Sequence, residues 1–195
     1  MDVWNREQWS IFWQAIAALG SMVAASQIFF LVQQLKDNRK LAQDQNAVSF
    51  WLSPEFNNLE KTAREELLKW DIVLRDQWTA MPESAVHSLQ KDPQAYMAVI
   101  DYLSILERLA ASVSTRAVSA EAERRVGGYY LVAAYGLFLP LILARRRATQ
   151  RATLYVELQV IARRWDQIGV DEGLPALLPP ETQEEREARK FFHEL

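Results

Sequence analysis

The feature that most constrains this chain is a long uncharged segment near its N-terminus. Residues 8–35 contain no Asp, Glu, Lys or Arg, and the basic pair Arg39-Lys40 follows closely. As an α-helix, the apolar centre at residues 11–32 would rise about 33 Å, enough to cross the roughly 30 Å hydrocarbon core of a bilayer. We therefore predict an N-terminal transmembrane helix over residues 9–35.

Two other kinds of segment resemble an anchor of this composition. A cleaved signal peptide has a basic start, a shorter apolar stretch and small residues at its cleavage site. Here residues 1–7 are mixed in charge, and the segment ends in Gln33-Gln34-Leu35-Lys36. A buried helix of a soluble protein usually keeps a polar stripe. The sequence favours a retained anchor over both alternatives.

The distribution of basic residues predicts the orientation of this anchor. Arg6 precedes the segment, whereas Lys36, Arg39 and Lys40 follow it. Because basic residues remain on the cytoplasmic side, the C-terminal part is expected in the cytoplasm. We predict a single-pass protein of the inner (cell) membrane, with residues 1–8 outside.

Small and polar residues recur along one strip of the predicted span. Small residues let helices approach closely in lipid, and a glutamine can hydrogen-bond across such a contact. The alternative is that the glutamines lie near the interfaces and reach the headgroups. We predict a helix–helix interface in the membrane, formed by Ala17, Gly20, Ser21, Ala24 and Gln27.

The remainder of the chain predicts an all-α cytoplasmic domain. Good helix formers dominate, and no segment alternates as a strand would. We assign a helical extension to residues 36–52, a bundle of about four to five helices to residues 53–169, and a loop with a charged C-terminal helix or tail to residues 170–195.

Local signals predict where the helices of the bundle begin. Ser53-Pro54 and Asp92-Pro93 each place a capping residue before a proline, and Ser119 precedes two glutamates. Residues 77–92 are expected to be looser, and Pro140 is expected to kink the fourth helix. The predicted helices cover residues 54–77, 93–113, 119–148 and 150–167.

Residues 126–144 form a second uncharged segment, long enough to cross a membrane. Arg124-Arg125 precede it and Arg145-Arg146-Arg147 follow it, and translocation of either cluster is disfavoured. We favour one membrane pass. This helix is then expected to lie in the centre of the bundle or at a subunit contact, because an apolar surface on all sides needs covering.

Several of these helical motifs resemble a known family. Residues 102–110 (YLSILERLA) are followed by a turn and an acidic helix start, then by Tyr130-Leu131, Leu139-Pro140-Leu141-Ile142 and residues 155–165. This order resembles an uncharacterised family of bacterial and archaeal helical domains, often placed behind one N-terminal membrane helix. The resemblance covers residues 95–167 and the anchor, and it implies an all-α cytoplasmic domain without an established activity.

Glu107 is the most prominent charged residue in an apolar stripe. We predict a structural ion pair between Glu107 and Arg145, because a buried carboxylate needs a partner. The alternative is an enzyme in which Glu107 is a general base beside the arginines at 145–147. That alternative is weak, because neither a second carboxylate nor a histidine lies nearby in the sequence.

The arginines after the second uncharged segment allow three interpretations. They can contact anionic lipid at the cytoplasmic leaflet, bind RNA or a nucleotide messenger, or complement the C-terminal end of a helix and pair with surface acids. The last interpretation is favoured. The residues assigned to the lipid contact are Arg145, Arg146, Arg147 and Arg151.

The composition limits the chemistry that this chain can perform. It has no cysteine, and its two histidines lack partners at ligand spacing, so we expect no metal and no other cofactor. A net charge of −3 gives no general bias toward nucleic acid. The spacing of Arg186 and His193 resembles a motif of helical RNases, but such pairs arise easily in a Glu- and Arg-rich tail.

These observations favour a non-enzymatic function in membrane assembly. We expect contacts with lipid and with another copy of the chain or another membrane protein, as a homo-oligomer or an accessory subunit of a larger complex, and no small-molecule substrate is identified. The alternative is a membrane effector or sensor of a defence-type system that forms an oligomeric pore, and a weaker alternative is an RNase using Arg186 and His193.

Overall fold

The computed structural model describes the backbone of residues 6–70, 72 and 79–193, and the side chains of residues 26–70, 72 and 79–190. No β-strand occurs among these residues. The α-helices are α1 (Arg6–Trp51), α2 (Pro54–Leu68), α3 (Glu83–Lys91), α4 (Pro93–Ser114), α5 (Ala120–Glu123), α6 (Tyr129–Thr149), α7 (Val156–Asp171) and α8 (Gln183–His193). A π-helical turn (Arg124–Gly128) connects α5 to α6. The all-α fold class is confirmed.

The chain divides into two compact units, residues 1–42 and residues 43–195. In the first unit, every described side chain, from Ser26 to Ala42, is exposed. The second unit begins with the last turns of α1 and contains the helical bundle. Within it, Ala47 is completely buried, and the amides of Gln43 and Asn46 donate to the backbone oxygens of Arg116 and Ala117.

Helix α4 is the organising helix of the bundle. It packs against α2, α3 and α7, while α6 packs against α7 and α3, and α8 packs against α7. The apolar side chains of α4 recur at helical spacing, so one wide face of it is buried. Its fully buried members include Leu103 and Leu106, which lie in the same core as Tyr135 and Phe138 of α6 and Leu158 of α7.

Helix α6 lies in the core of the bundle. Three consecutive residues, Leu137, Phe138 and Leu139, are all buried, which requires neighbours on every side. The helix continues through Pro140, and the backbone N–H of Met81 donates to the carbonyl oxygen of Leu137 one turn earlier, at 2.9 Å. Of the two positions that the sequence left open for this helix, the centre of the bundle is the one observed.

The three predicted helix starts in the bundle are confirmed by their hydrogen bonds. The Ser53 hydroxyl accepts from the N–H of Phe56 at 3.2 Å, and Ser119 caps α5 in the same way through Ala122. The Asp92 carboxylate accepts from the N–H groups of Gln94 and Ala95, both at 3.1 Å. Prolines at 54 and 93 follow two of these caps because the first helical N–H needs no partner.

Four features differ from the sequence prediction. Helix α2 ends at Leu68, whereas the predicted helix ran to residue 77. Residues 77–92, expected to be loose, contain α3, whose Val86 and Leu89 are buried. The last long helix begins at Val156 rather than residue 150, because Gln150 and Tyr155 have left-handed backbones (φ 53° and 59°), and it runs through Gly169 to Asp171.

The fourth predicted helix contains the π-helical turn, where the backbone at Gly127 closely approaches an aromatic ring. A Cβ atom at Gly127 would lie 2.0 Å from Cζ2 of Trp51. Only glycine fits at this approach without displacement of the ring. The widened turn and the indole of Trp51 therefore occupy the same corner of the bundle.

Candidate functional site

The exposed part of α1 is the first candidate for a functional surface. Ile28, Phe29, Phe30 and Leu31 are consecutive, and 58–67% of each side chain is exposed. Successive residues of an α-helix are rotated by about 100°, so four in a row cover all directions around the axis. Apolar surface of this extent marks a contact with lipid or with another protein.

The predicted membrane interface lies mostly outside the described side chains. Ala17, Gly20, Ser21 and Ala24 belong to the continuous helix α1, but their side chains fall outside the described residues. Gln27 is described and exposed. By length and composition, one helical segment of the described chain could span a membrane, residues 120–149, and 72% of its most apolar stretch is buried in the protein. An N-terminal span therefore remains a prediction.

Glu107 caps a helix that lies fifty residues further along the chain. Its carboxylate oxygens accept from the backbone N–H groups of Glu157 at 3.2 Å and Leu158 at 2.7 Å, in the first turn of α7. Tyr155 occupies the usual capping position but provides no side-chain cap. Burial raises the pKa of Glu107 to about 7, although the two backbone N–H groups oppose this shift. The carboxylate replaces a local cap.

The partner predicted for Glu107 is engaged elsewhere. The guanidinium of Arg145 donates to the hydroxyl of Tyr155 at 2.8 Å and lies 5.6 Å from the centre of its ring. Arg108, beside Glu107, forms an exposed ion pair with Glu55 at 2.7 Å. The described side chains thus show Glu107 and Arg145 with other partners, rather than the predicted ion pair.

The arginines predicted to contact lipid do not share one surface. Arg146 is 2% exposed, and its Nε donates to the carbonyl oxygen of Leu154 at 2.8 Å. Burial lowers the pKa of Arg146. Arg147 is exposed and pairs with Glu184 at 3.0 Å, and Arg151 is exposed as well. A lipid contact by Arg146 is incompatible with its burial. For the exposed arginines of this group, the lipid contact remains a prediction.

A buried polar network, which is absent from the sequence predictions above, holds α8 against α6 and α7. Glu185 is completely buried and accepts from the hydroxyl of Tyr135 at 2.6 Å and from Arg163 at 2.7 Å. It also accepts from the N–H of Thr182, whose hydroxyl accepts from the N–H of Glu185. This is a capping box, and its Thr-x-x-Glu spacing was visible in the sequence.

The ionisation of this network follows from its hydrogen bonds. Burial acts to raise the pKa of Glu185, but the donors Tyr135, Thr182 and Arg163 outweigh it and hold that pKa below its usual range. Burial, together with the negative charge of Glu185, raises the pKa of Tyr135. A neutral phenol and a charged carboxylate are therefore the stable pair.

A second buried carboxylate lies where α1 meets the bundle. Glu123 is completely buried, and its Oε1 accepts from Nε1 of Trp51 at 2.6 Å. The other oxygen, Oε2, has no hydrogen-bond donor among the described residues. Burial raises the pKa of Glu123 to about 7, against the effect of the Trp51 hydrogen bond.

One of the two residues considered for an RNase site falls outside the described side chains. Arg186 lies on the exposed face of α8, and the side chain of His193 is outside the described residues. Within the described part of the chain, no three His, Asp or Glu side chains are grouped to hold a metal ion.

Three comparisons with known proteins give one relationship. No curated protein and no solved structure matches the chain. A family described as a domain of unknown function, DUF4760, matches residues 14–165. This range includes residues 14–35 of the segment predicted as a membrane helix and the bundle through Trp165. Because the match covers most of the 195 residues, the chain belongs to the DUF4760 family.

Proposed function

We propose that this protein is a membrane-anchored assembly or accessory protein that acts through protein–protein contacts. Residues 9–35 would cross the inner membrane once, with residues 1–8 outside and the bundle in the cytoplasm. The partner would be a second copy of the chain or another membrane protein. The observation that supports this proposal best is the run of exposed apolar side chains from Ile28 to Val32, followed by Lys36, Arg39 and Lys40.

The contacts of the bundle support a structural rather than a catalytic role. Glu107 holds the start of α7, and Glu185 is surrounded by four donor groups. Carboxylates engaged in this way position helices, and their oxygens are occupied. We therefore propose that the chain performs no chemistry of its own.

Membrane integration is tested by extraction of native membranes with alkaline carbonate. The proposal requires the protein to stay in the membrane pellet at its full length, and a reporter fused after Leu195 should be active in the cytoplasm. Release into the carbonate supernatant, or a mature protein that starts near Lys36, would contradict the anchor. A periplasmic reporter signal would contradict the orientation.

Assembly through the anchor is tested by Gln27→Leu. A glutamine in lipid is stabilised by a hydrogen bond across a helix contact, so its loss should shift the protein toward a smaller species on native gels in mild detergent. Gln33→Leu is the matched control, because residue 33 is also exposed but lies about 120° away around the helix. An unchanged oligomer in Gln27→Leu, or an equal loss in both variants, would contradict this interface.

The alternative function, a pore-forming effector, predicts a different effect on cells. Overexpression of an accessory protein should leave growth and membrane potential unchanged. Rapid depolarisation that depends on Gln27 would favour the pore instead.

A further inference from the structure

The last turns of α1 carry apolar side chains on two faces. One face is covered by the bundle: Ala47 is completely buried, and Phe50 packs against the core. The other face carries Val48 and Leu52, which are 43% and 72% exposed. Leu52 continues the helical turn, because its N–H donates to the carbonyl oxygen of Val48. At about 100° per residue, these two exposed residues lie about 40° apart and about 100–160° from the two covered ones. The described bundle thus leaves one apolar face of the helix uncovered.

The exposed face continues toward the N-terminus with a regular spacing. Counted back from Leu52, the positions alternate steps of four and three residues, and every one of these side chains is exposed. The alternation averages 3.5 residues, which is the repeat that packs one helix against another in a coiled coil. These positions form the heptad strip, which comprises Gln27, Leu31, Gln34, Asn38, Leu41, Gln45, Val48 and Leu52.

The heptad strip contains no charged residue, although charged residues are frequent beside it. Five lie between residues 36 and 44, and none of them occupies a strip position: Lys36, Asp37, Arg39, Lys40 and Asp44. A charge on the strip would oppose its burial against another helix, whereas a charge beside it stays in water. The pattern is therefore typical of a helix face that a partner buries.

The amides of the heptad strip identify the kind of partner. An amide side chain both donates and accepts hydrogen bonds, so the same residue at the same height on a second copy is its complement. Asn38 lies three residues before Leu41, which places it at an a position and Leu41 at a d position of the heptad. A buried asparagine at an a position fixes register and oligomeric state at a cost in stability. The strip is thus self-complementary when two copies pair in register.

The residues that flank the heptad strip are compatible with a parallel pair. Asp37 and Asp44 occupy g positions, whereas the neighbouring e positions at Leu35, Ala42 and Ser49 carry no charge. In a parallel coiled coil, a g residue of one helix lies beside an e residue of the other, so the two acids do not face each other. Flanking charge therefore does not oppose the pairing of identical helices.

We propose that α1 pairs with the same helix of a second copy in a parallel, in-register coiled coil along the heptad strip. This inference rests on the proposed function, because two copies anchored with one orientation have parallel helices. The same spacing continues through Ala24, Gly20 and Ala17 of the predicted membrane interface. If the span ends at residue 35, Val48 lies about 20 Å further along the helix, beyond the reach of lipid. The polar positions weaken the pair, and tethering through the anchor compensates by raising the effective concentration.

Disulfide crosslinking in native membranes tests this pairing, since the chain has no cysteine of its own. A disulfide requires Cα atoms within about 7 Å, which a parallel, in-register pair provides for equal residues on the strip. Leu41→Cys and Val48→Cys should each give a disulfide-linked dimer of the chain. The controls Lys36→Cys and Lys40→Cys, which are exposed but lie off the strip, should give at least about tenfold less dimer. Crosslinks at both strip positions require parallel helices, because an antiparallel pair brings equal residues together at one height only.

A charge placed on the heptad strip tests whether the strip is the contact. In the Val48→Cys background, Leu41→Asp should reduce the disulfide-linked dimer at least about fivefold, because the pair would bury two like charges. Lys40→Asp is the matched control, since it introduces an aspartate at an exposed position beside the strip. Far-ultraviolet circular dichroism of the purified variants checks that they are folded.

The possible outcomes separate this pairing from the anchor. Absence of a dimer at both strip positions, equal crosslinking at the control positions, or a crosslink to a different protein would overturn the pairing. Carbonate extraction of the same membranes tests the anchor independently. Protein that stays in the pellet without crosslinking would contradict the coiled coil and leave the proposed anchor intact. Protein that is released but crosslinks only on the strip would support the pairing and contradict the anchor.

Discussion

The close approach of Trp51 to Gly127 gives the sharpest test of how the end of α1 is held in the bundle. Gly127→Ala places a methyl group 2.0 Å from Cζ2 and 2.6 Å from Nε1 of the indole, both inside van der Waals contact. The ring must move, and with it the 2.6 Å hydrogen bond to Glu123. The completely buried Glu123 then keeps neither oxygen paired.

The expected magnitude combines three effects. Overpacking of a well-packed core costs about 1–3 kcal/mol. Leaving a buried acceptor without its donor costs about 1–3 kcal/mol. Replacement of a helical glycine by alanine stabilises the folded state by about 0.5–1 kcal/mol. We expect Gly127→Ala to lower the free energy of unfolding by about 2–5 kcal/mol.

The matched control is the same substitution at Gly169. A Cβ atom there meets Leu174 at 3.7 and 3.9 Å, which is ordinary contact, and Gly169 lies inside α7. Gly169→Ala should therefore stabilise the protein by about 0.5–1 kcal/mol. The two variants carry the same chemical change, yet their effects on the free energy of unfolding are expected to have opposite signs.

The assay is urea unfolding of the full chain in mild detergent, followed by far-ultraviolet circular dichroism. A Trp51→Ala background tests the cause, because without the indole Gly127→Ala should lose most of its cost. The reasoning is refuted if Gly127→Ala is as stable as the parent protein, or if its cost is the same with and without Trp51.

Two further predictions concern the caps of α4 and α7. Burial raises the pKa of Glu107 to about 7, so its contribution to stability is complete below its unfolded pKa near 4.5 and is lost as the pH rises through 7. In urea unfolding at several pH values, Glu107→Gln should reduce this pH-dependent loss by up to about 3 kcal/mol. The exposed control Glu65→Gln should leave the dependence of stability on pH unchanged. Asp92→Ala should lower the free energy of unfolding by about 1–2 kcal/mol, because the N–H groups of Gln94 and Ala95 lose their acceptor. Asp92→Asn keeps the cap, so its stability should lie close to that of the parent protein. Equal losses in both variants would show that the cap is not the cause.

Local signals in the sequence predicted the helix starts well, because an N-cap is a contact between residues three positions apart. Ser53, Asp92 and Ser119 needed no knowledge of the rest of the fold. The start of α7 could not be found in this way, since its cap is the carboxylate of Glu107 on another helix. The segment before α7 resembles a continuing helix, and only the tertiary contact shows where the helix begins.

The partners of the charged residues could not be predicted from local sequence either. Burial of Glu107 within an apolar stripe was foreseeable, but its acceptance of backbone N–H groups was not, because a residue's partners depend on how helices cross. Arg145, Arg146 and Arg147 are adjacent in the sequence, and successive helix positions differ by about 100°. One therefore contacts Tyr155, one is buried and one pairs with Glu184. The Thr182–Glu185 capping box, in contrast, was available from local spacing alone.

The two uncharged segments show why composition alone cannot assign an apolar helix to lipid. Residues 126–144 pass the test of length and apolarity, yet α6 is covered by α3 and α7. The apolar residues of α1 from Ile28 to Val32 have no such cover: Phe29 and Phe30 are 67% and 66% exposed, whereas Leu137 and Phe138 are at most 1% exposed. The two segments differ in whether other helices of the described structure pack against their apolar side chains. A run of apolar side chains that is exposed in every direction around its helix needs an apolar environment, which for residues 28–32 we propose to be the bilayer and a partner helix within it.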